Sequence, residues 1–215
     1  MKLVYFLITI PIEFIGRILL VLNFFQLKNK LEKYAEVVDQ KSIEIPEFYT
    51  EYLVVAEDHR SRFHCGIDQV GILRAIYKRL FTVEIQGAST IEQQFVRVVT
   101  GDYSHSLQRK FREQLLAVFL AKKKTKIDIA KVYLAIAYYG YNCEGTTGIA
   151  KLVGSDLRLA SEDQVISIMA RLKYPKPSAN TAVWQEKITQ RVSYIKKRHQ
   201  LAASKSRQRT LHAAA

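Results

Sequence analysis

Apolar residues recur at helical spacing along most of this chain, and few residues interrupt that spacing. Only 9 glycines and 4 prolines occur among the 215 residues, so long irregular linkers are not expected. One apolar stripe has members at positions i, i+4, i+8 and i+11: Leu107, Phe111, Leu115 and Val118. This spacing predicts an amphipathic helix with Arg109 and Glu113 on its opposite side. Because no segment shows convincing strand alternation, the sequence predicts a mainly α fold.

Capping residues predict where several helices begin and end. Ser89 or Thr90 can cap a helix that starts near Ile91, with Glu92 or Gln93 as the capping-box partner. Further helices are predicted at 128–139, ended by Gly140, at 161–172, where Ser161 and Gln164 form a capping box, and at 182–203.

The N-terminal segment from Leu3 to Phe25 is overwhelmingly apolar. A membrane-spanning helix needs about 20 such residues. The charged residues Glu13 and Arg17 are four positions apart and could pair on one helical face. We therefore predict an uncleaved membrane anchor helix over 1–27, with an interfacial helix as the main alternative and a buried soluble helix as the third. A helical domain over 28–180 and a basic C-terminal helix and tail over 181–215 would follow.

The charge of the chain restricts its partners. Lys and Arg total 33 against 20 acidic residues, which gives a formal net charge of +13 and a pI near 9.7. A basic surface favours polyanions, which include nucleic acid, anionic lipid headgroups and phosphorylated substrates. Charge alone does not choose among them, although Lys28, Lys30 and Lys33 directly follow the apolar segment and suit contact with lipid headgroups.

Residue spacing argues against several classes of site. Cys65 and Cys143 lack CxxC spacing, so a metal site built on them is not expected. They are either unpaired small apolar residues or, in an oxidising compartment, a disulfide. No Gly-Lys-Ser/Thr follows Gly87 to make a Walker loop, no HExxH is present, and no order of His, Asp and Ser suggests a nucleophilic triad.

Three segments contain residues capable of chemistry: 57–66, 87–94 and 109–113. Glu57 follows an apolar run, so it is either a proton acceptor at the edge of the core or a helix-end carboxylate in solvent. Glu113 follows Arg109 at i+4 and Lys110 at i+3. These three residues form either a plain intrahelical salt bridge or a carboxylate held by cations beside a phosphate or a metal.

The other candidate residues also allow two interpretations. The segment 87–94 is a small polar turn at a helix start, which either cradles an anion with its N–H groups and hydroxyls or simply caps the helix. His64 is more often a structural histidine than a catalyst. Taken one at a time, each candidate favours the structural interpretation.

Taken in order, the three segments resemble the motifs of the peptidoglycan glycosyltransferase domain, glycosyltransferase family 51. This domain occurs in bifunctional penicillin-binding proteins and in monofunctional transglycosylases. The first motif is matched by Glu57, Asp58, His64, Gly66 and Asp68. The second is matched by Gly87, Ser89, Thr90, Ile91, Gln93 and Gln94, with Arg97 in place of a lysine. The third is matched by Arg109, Lys110 and Glu113.

The later motifs are weaker. The fourth is matched in part, at Lys126, Ile129, Tyr133, Leu134 and Gly140, and the fifth survives only as 148–154. Ser61 replaces an aromatic residue of the first motif, and Lys131 and Ala135 replace the glutamate and asparagine of the fourth. Both glutamates expected to be catalytic are retained, so the resemblance implies an active enzyme.

The resemblance implies a lysozyme-like helical domain over 28–180 that polymerises lipid II. Glu57 would be the general base, and Glu113 would orient the nearby cations or share a divalent cation, Mg or Mn. No organic cofactor is implied. The residues that would bind substrate are Asp58, His64, Gly87, Ser89, Thr90, Gln94, Arg97, Arg109 and Lys110.

The implied partners are lipid II, glycan carried on polyprenyl pyrophosphate, the membrane and other cell-wall synthesis proteins, but not nucleic acid. The implied location is the bacterial cytoplasmic membrane, with the catalytic domain on its outer, periplasmic side. The alternatives are a catalytically weakened family member that binds lipid substrate or a partner, a muramidase-like hydrolase, and a basic nucleic-acid binder.

Overall fold

The computed structural model describes residues 2–41, 44–82, 87–179 and 181–213, which are mainly helical as the sequence predicts. The α-helices of these residues are α1 Lys2–Val21, α2 Leu27–Lys41, α3 Phe48–Glu57, α4 Gln69–Phe81, α5 Ile91–Thr100, α6 Leu107–Lys123, α7 Lys126–Ile136, α8 Gly145–Val153, α9 Glu162–Lys173 and α10 Thr181–Ala213. Strands β1 Tyr138–Gly140 and β2 Cys143–Glu144 form an antiparallel hairpin.

The chain divides into two compact units. The first contains 1–43 and 58–133, and the second contains 44–57 and 134–215. The division into 1–27, 28–180 and 181–215 stays a prediction.

Helix α6 forms the core of the first unit, where it packs against α1, α2 and α5. From 115 to 120 its side chains are at most 9% exposed, as expected for a helix buried on all sides. The predicted apolar stripe is wrong at its N-terminal end. Leu107 is 90% exposed and Phe111 39% exposed, whereas Glu113 is only 3% exposed. Ion pairs rather than apolar periodicity decide which face is buried there.

Helix α1 packs on α2, α4 and α6 of the same unit. The Tyr5 hydroxyl donates a 2.6 Å hydrogen bond to Asp68, whose carboxylate also caps α4 through the Gly71 N–H. Glu13 pairs with Lys122 of α6, rather than with Arg17 as the sequence suggested. Among the described helices, none combines the length and the apolar character needed to cross a membrane.

Helix α9 forms the core of the second unit and packs against α3, α8, α10 and β1. The predicted capping box of Ser161 and Gln164 is present at its start. The helix predicted to run to Tyr139 instead ends at Ile136, and the chain turns into the β1–β2 hairpin. Gly140 allows this change, because its φ of 137° lies in the region that favours glycine. The disulfide alternative is wrong, since both cysteines are free.

Substitution of Gly66 tests the packing of the first unit. Gly66 has a φ of +80°, and a Cβ added there would lie 2.5 Å from the carbonyl oxygen of Ala117 in α6. We expect Gly66→Ala to lower the free energy of unfolding by about 1–3 kcal/mol, measured by chemical denaturation. Gly87→Ala is the matched control, because a Cβ there meets no described atom within 4 Å. Equal unfolding midpoints for the two variants would contradict this prediction.

Candidate active site

The side chain of Glu113 lies at the centre of a cationic cluster in the first unit. Its carboxylate accepts hydrogen bonds from Arg97 at 3.0 and 3.1 Å, from Arg109 at 2.5 Å and from Lys110 at 2.9 Å. Burial raises the pKa of Glu113, but the hydrogen bonds from Arg97 and Lys110 more than offset this, and the pKa lies below its ordinary value. Glu113 is therefore ionised near neutral pH, and three cations outnumber this one carboxylate.

The Ser89 hydroxyl joins this cluster. It accepts hydrogen bonds from Arg97 at 3.3 Å and from Lys110 at 3.2 Å. Burial lowers the pKa of Lys110, whereas the neighbouring Glu113 carboxylate opposes that shift. The structure thus brings together five of the predicted site residues: Ser89, Arg97, Arg109, Lys110 and Glu113.

A cavity of about 300 Å³ opens beside this cluster, within the first unit. Ser89, Lys110 and Gln114 line one part of it, together with Ala88. Helix α4 supplies the rest of the lining through Ile72, Ala75, Ile76 and Arg79. The cavity thus combines an apolar wall with cationic groups, which suits a ligand that has both an apolar chain and an anionic group.

The side chains of Thr90 and Gln94 form hydrogen bonds with other residues of the first unit. Thr90 caps α5 in a capping box with Gln93, one of the pairings that the sequence left open, and its hydroxyl donates a 2.7 Å hydrogen bond to the Gly66 carbonyl. Thr90 is only 1% exposed. The amide oxygen of Gln94 accepts a hydrogen bond from the Tyr133 hydroxyl at 2.7 Å. Thr90 therefore stabilises the start of α5, Gln94 joins α5 to α7, and Gly87 precedes the capped turn.

Asp58 and His64 belong to a second buried polar cluster of the first unit. His64 Nε2 lies 3.0 Å from Asp58, which also accepts the N–H of Ile91 at 3.3 Å. The ammonium of Lys126 lies 3.4 Å from His64 Nδ1 and 2.8 Å from Glu92. The lysine can only donate, so the geometry assigns the Nε2–H tautomer, in which His64 donates to Asp58.

This cluster has the composition of a metal site but already contains a cation. Asp58, His64 and Glu92 each place a ligand atom within 4.8 Å of the others. However, Lys126 supplies positive charge to Glu92, and both ring nitrogens of His64 face other groups. We therefore interpret the cluster as a structural network held by the ion pair of Lys126 with Glu92, in which Oε2 of Glu92 has no hydrogen-bond partner among the described residues. Sequence reasoning missed Glu92 and Lys126 as partners, although a lysine at the first residue of a helix opposes the helix dipole and could have signalled such a pairing.

Glu57 is placed in the second unit, whereas the other predicted site residues lie in the first. It is the last residue of α3, and its carboxylate accepts a 2.7 Å hydrogen bond from Arg191 of α10. The side chains of Glu57 and Arg191 are 15% and 10% exposed. Sequence reasoning missed Arg191, because it lies beyond the motifs and 134 positions from Glu57.

Comparison with known proteins identifies the family of this chain. The model of the transglycosylase family matches residues 26–200. The chain belongs to this family. The family predicted from the three motifs is therefore confirmed.

Several known proteins are similar to the chain. Penicillin-binding protein 1A of Escherichia coli K12 is 36% identical over 110 residues, which are 51% of this chain and 13% of that protein. The protein of the same name from Mycobacterium tuberculosis is 30% identical over 118 residues, 53% of this chain and 14% of that protein. The monofunctional glycosyltransferase of Staphylococcus aureus JH9 is 28% identical over 184 residues, 80% of this chain and 68% of that protein.

The importance of Lys126 for stability can be tested with a double-mutant cycle. Lys126→Met leaves the carboxylate of Glu92, 1% exposed, without its cation. We expect this variant to lose about 3–5 kcal/mol of unfolding free energy in urea, because an unpaired buried charge is costly. Adding Glu92→Leu should recover most of that loss, because both charges are then removed.

Lys124→Met is the matched control for this cycle, because its partner Asp39 is 64% exposed. Its loss should stay within about 1 kcal/mol. If Lys126→Met were equally mild, the buried network would not be the stabilising element that its geometry indicates.

Proposed function

We propose that this chain is a peptidoglycan glycosyltransferase that polymerises lipid II into β-1,4 glycan strands and releases polyprenyl pyrophosphate. The cluster around Glu113 is the observation that carries the proposal. A departing pyrophosphate gains negative charge in the transition state, and cations positioned beforehand stabilise that charge without reorganisation. Arg97, Arg109 and Lys110 supply three such cations, and the ionised Glu113 holds them in place.

The reaction we propose is a single inverting displacement. The 4-hydroxyl of the acceptor lipid II attacks the anomeric carbon of the donor strand, and a new C–O bond forms there. The bond from that carbon to the pyrophosphate oxygen breaks, and the pyrophosphate leaves with the electron pair. Glu57 takes the hydroxyl proton as general base. Arg97, Arg109 and Lys110 bind the leaving pyrophosphate.

The cavity beside Ser89 supports a lipid-linked donor. Its wall from α4 is largely apolar, while Lys110 and Arg79 add positive charge. A polyprenyl chain next to a pyrophosphate has this combination of properties. We propose that Glu113 does not hold a divalent cation, because its carboxylate already pairs with three cationic side chains that would repel a metal ion.

The second candidate is a catalytically weakened family member that binds the lipid substrate without polymerising it. Lys131 and Ala135 favour this alternative, because they replace the glutamate and asparagine of the fourth motif. It predicts that the chain binds lipid II but makes no glycan.

Substitution of the two glutamates tests the enzymatic proposal. Glu57→Gln removes the proton acceptor, so polymerisation of labelled lipid II by detergent-solubilised protein should fall by about 10²–10⁴-fold. Glu113→Gln loosens the cations and should lower the rate as well. Moenomycin should inhibit the wild-type chain.

Glu144→Gln is the matched control, because Glu144 is an exposed glutamate outside the predicted site and its variant should keep wild-type activity. Full activity of Glu57→Gln would rule out Glu57 as the base. Lipid II binding by a wild-type chain that makes no glycan would select the weakened family member.

We also propose that the first unit works at a membrane surface, on the outer face of the bacterial cytoplasmic membrane. Helices α1 and α4 pack together, and both expose large apolar side chains. On α1 these are Ile10, Phe14, Ile15, Ile18 and Val21, and on α4 they are Leu73, Ile76, Tyr77, Leu80 and Phe81. Exposed apolar surface on this scale marks membrane or partner contact. Cationic Arg74, Lys78 and Arg79 on α4 suit anionic headgroups.

From the family resemblance we also propose that 1–27 anchors the chain to the membrane and that the helical domain has a lysozyme-like form. The same resemblance supports association with other cell-wall synthesis proteins.

Vesicle flotation tests the membrane surface. Leu80 is 71% exposed on α4. Leu80→Glu should lower the fraction of protein bound to vesicles of anionic phospholipid several-fold, because it puts a charge where apolar contact is proposed. Leu159→Glu is the matched control, because Leu159 is 81% exposed but lies outside α1 and α4. Equal flotation of the two variants would place the membrane contact elsewhere.

A further inference from the structure

The carboxylate of Glu57 is held by a residue of the C-terminal helix. Arg191 Nη2 donates a 2.7 Å hydrogen bond to Glu57 Oε1 and another of 2.7 Å to the carbonyl oxygen of Ala56. The arginine therefore joins the glutamate side chain to the backbone of the preceding residue. A glutamate has three rotatable side-chain bonds, and this pair of contacts restricts them.

Arg191 is itself held in place by packing within the second unit. Its guanidinium lies over the ring of Tyr194, 5.0 Å from the centroid. On the same helix, Ile188 is 5% exposed and Ile195 is fully buried. Helix α10 packs on both α3 and α9. The arginine thus reaches Glu57 from a well-packed element, so its position does not depend on a mobile loop.

A general base needs a fixed direction as well as the ability to accept a proton. A small misplacement of a reacting group costs a large factor in rate. An arginine fork suits this task, because it offers several donors in one rigid plane. Its hydrogen bond to Ala56 does not depend on the charge of Glu57, so Arg191 can stay in place after the carboxylate has taken a proton.

We infer that Arg191 is a positioning residue for Glu57 in the reaction proposed above, and this inference rests on that proposed function. Arg191 acts through Glu57, and we assign it no contact with substrate. Loss of Arg191 should therefore lower kcat and leave the KM for lipid II nearly unchanged. If Arg191 only fastened α10 to α3, its loss would lower stability instead.

The experiment compares the full-length wild-type chain with Arg191→Ala and Arg191→Lys in lipid II polymerisation. We expect Arg191→Ala to lose about 10–10³-fold in kcat, with KM within about threefold of wild type. Millimolar guanidinium should restore part of the kcat of Arg191→Ala, because the free ion can occupy the emptied position. The kcat of Arg191→Lys should lie between those of wild type and Arg191→Ala, because a lysine keeps the charge but loses the planar fork.

Arg198→Ala is the matched control. Arg198 lies on the same helix with its guanidinium 5.4 Å from the Tyr194 ring centroid, and it donates a 2.6 Å hydrogen bond to the Tyr194 hydroxyl. This variant should keep wild-type kcat, with no response to guanidinium.

Three results would overturn the inference. The first is an unchanged kcat in Arg191→Ala, and the second is a loss of kcat that guanidinium does not restore. If Arg191→Ala does not fold, the test uses Arg191→Lys, and a folded Arg191→Lys with wild-type kcat is the third such result. A wild-type chain that makes no glycan would refute the proposed function, and the inference with it. An active wild-type chain with an equally active Arg191→Ala would refute the inference alone.

Discussion

Buried carboxylates must be paired with cations, and much of the organisation of this protein follows from that requirement. Taking a carboxylate out of water is unfavourable unless cations and hydrogen bonds replace the lost hydration. Glu113 is 3% exposed and pairs with cations from α5 and from its own helix. This pairing decides which face of α6 is buried at its N-terminal end, and it leaves Leu107 in solvent. The same arrangement concentrates positive charge where the proposed reaction needs it.

The second buried cluster follows the same rule with a different result. Glu92 is 1% exposed and pairs with Lys126, which also approaches His64. Here the cation pairs with Glu92 in a network that also contains Asp58, and we interpret this network as structural. Two groups of motif residues within one unit thus have different surroundings, although both contain a buried acid and a lysine.

Local signals in the sequence predicted local structure well. The capping box at Ser161 was predicted from spacing alone, because a capping box depends only on residues three positions apart. At α5 the same spacing left Ser89 or Thr90 as the cap, and the structure has Thr90. The hairpin at 138–144 was missed, because its strands are three and two residues long, too short for alternation to be visible. The structure also pairs Gly140 with Lys176, a contact that no local pattern encodes.

The sequence by itself determined the family and most of the candidate residues, because the motifs keep chemically distinctive residues at fixed spacing. It also determined the excess of positive charge, which is a property of composition. Spacing within one helix already pairs Glu113 with Arg109 and Lys110, and only the tertiary structure decided the long-range partners. Helix packing brings Arg191 to Glu57 across 134 positions, and it pairs the buried Glu92 with Lys126, whose side chain is 32% exposed. Such pairs depend on how helices pack, and residue spacing along the chain does not predict that packing.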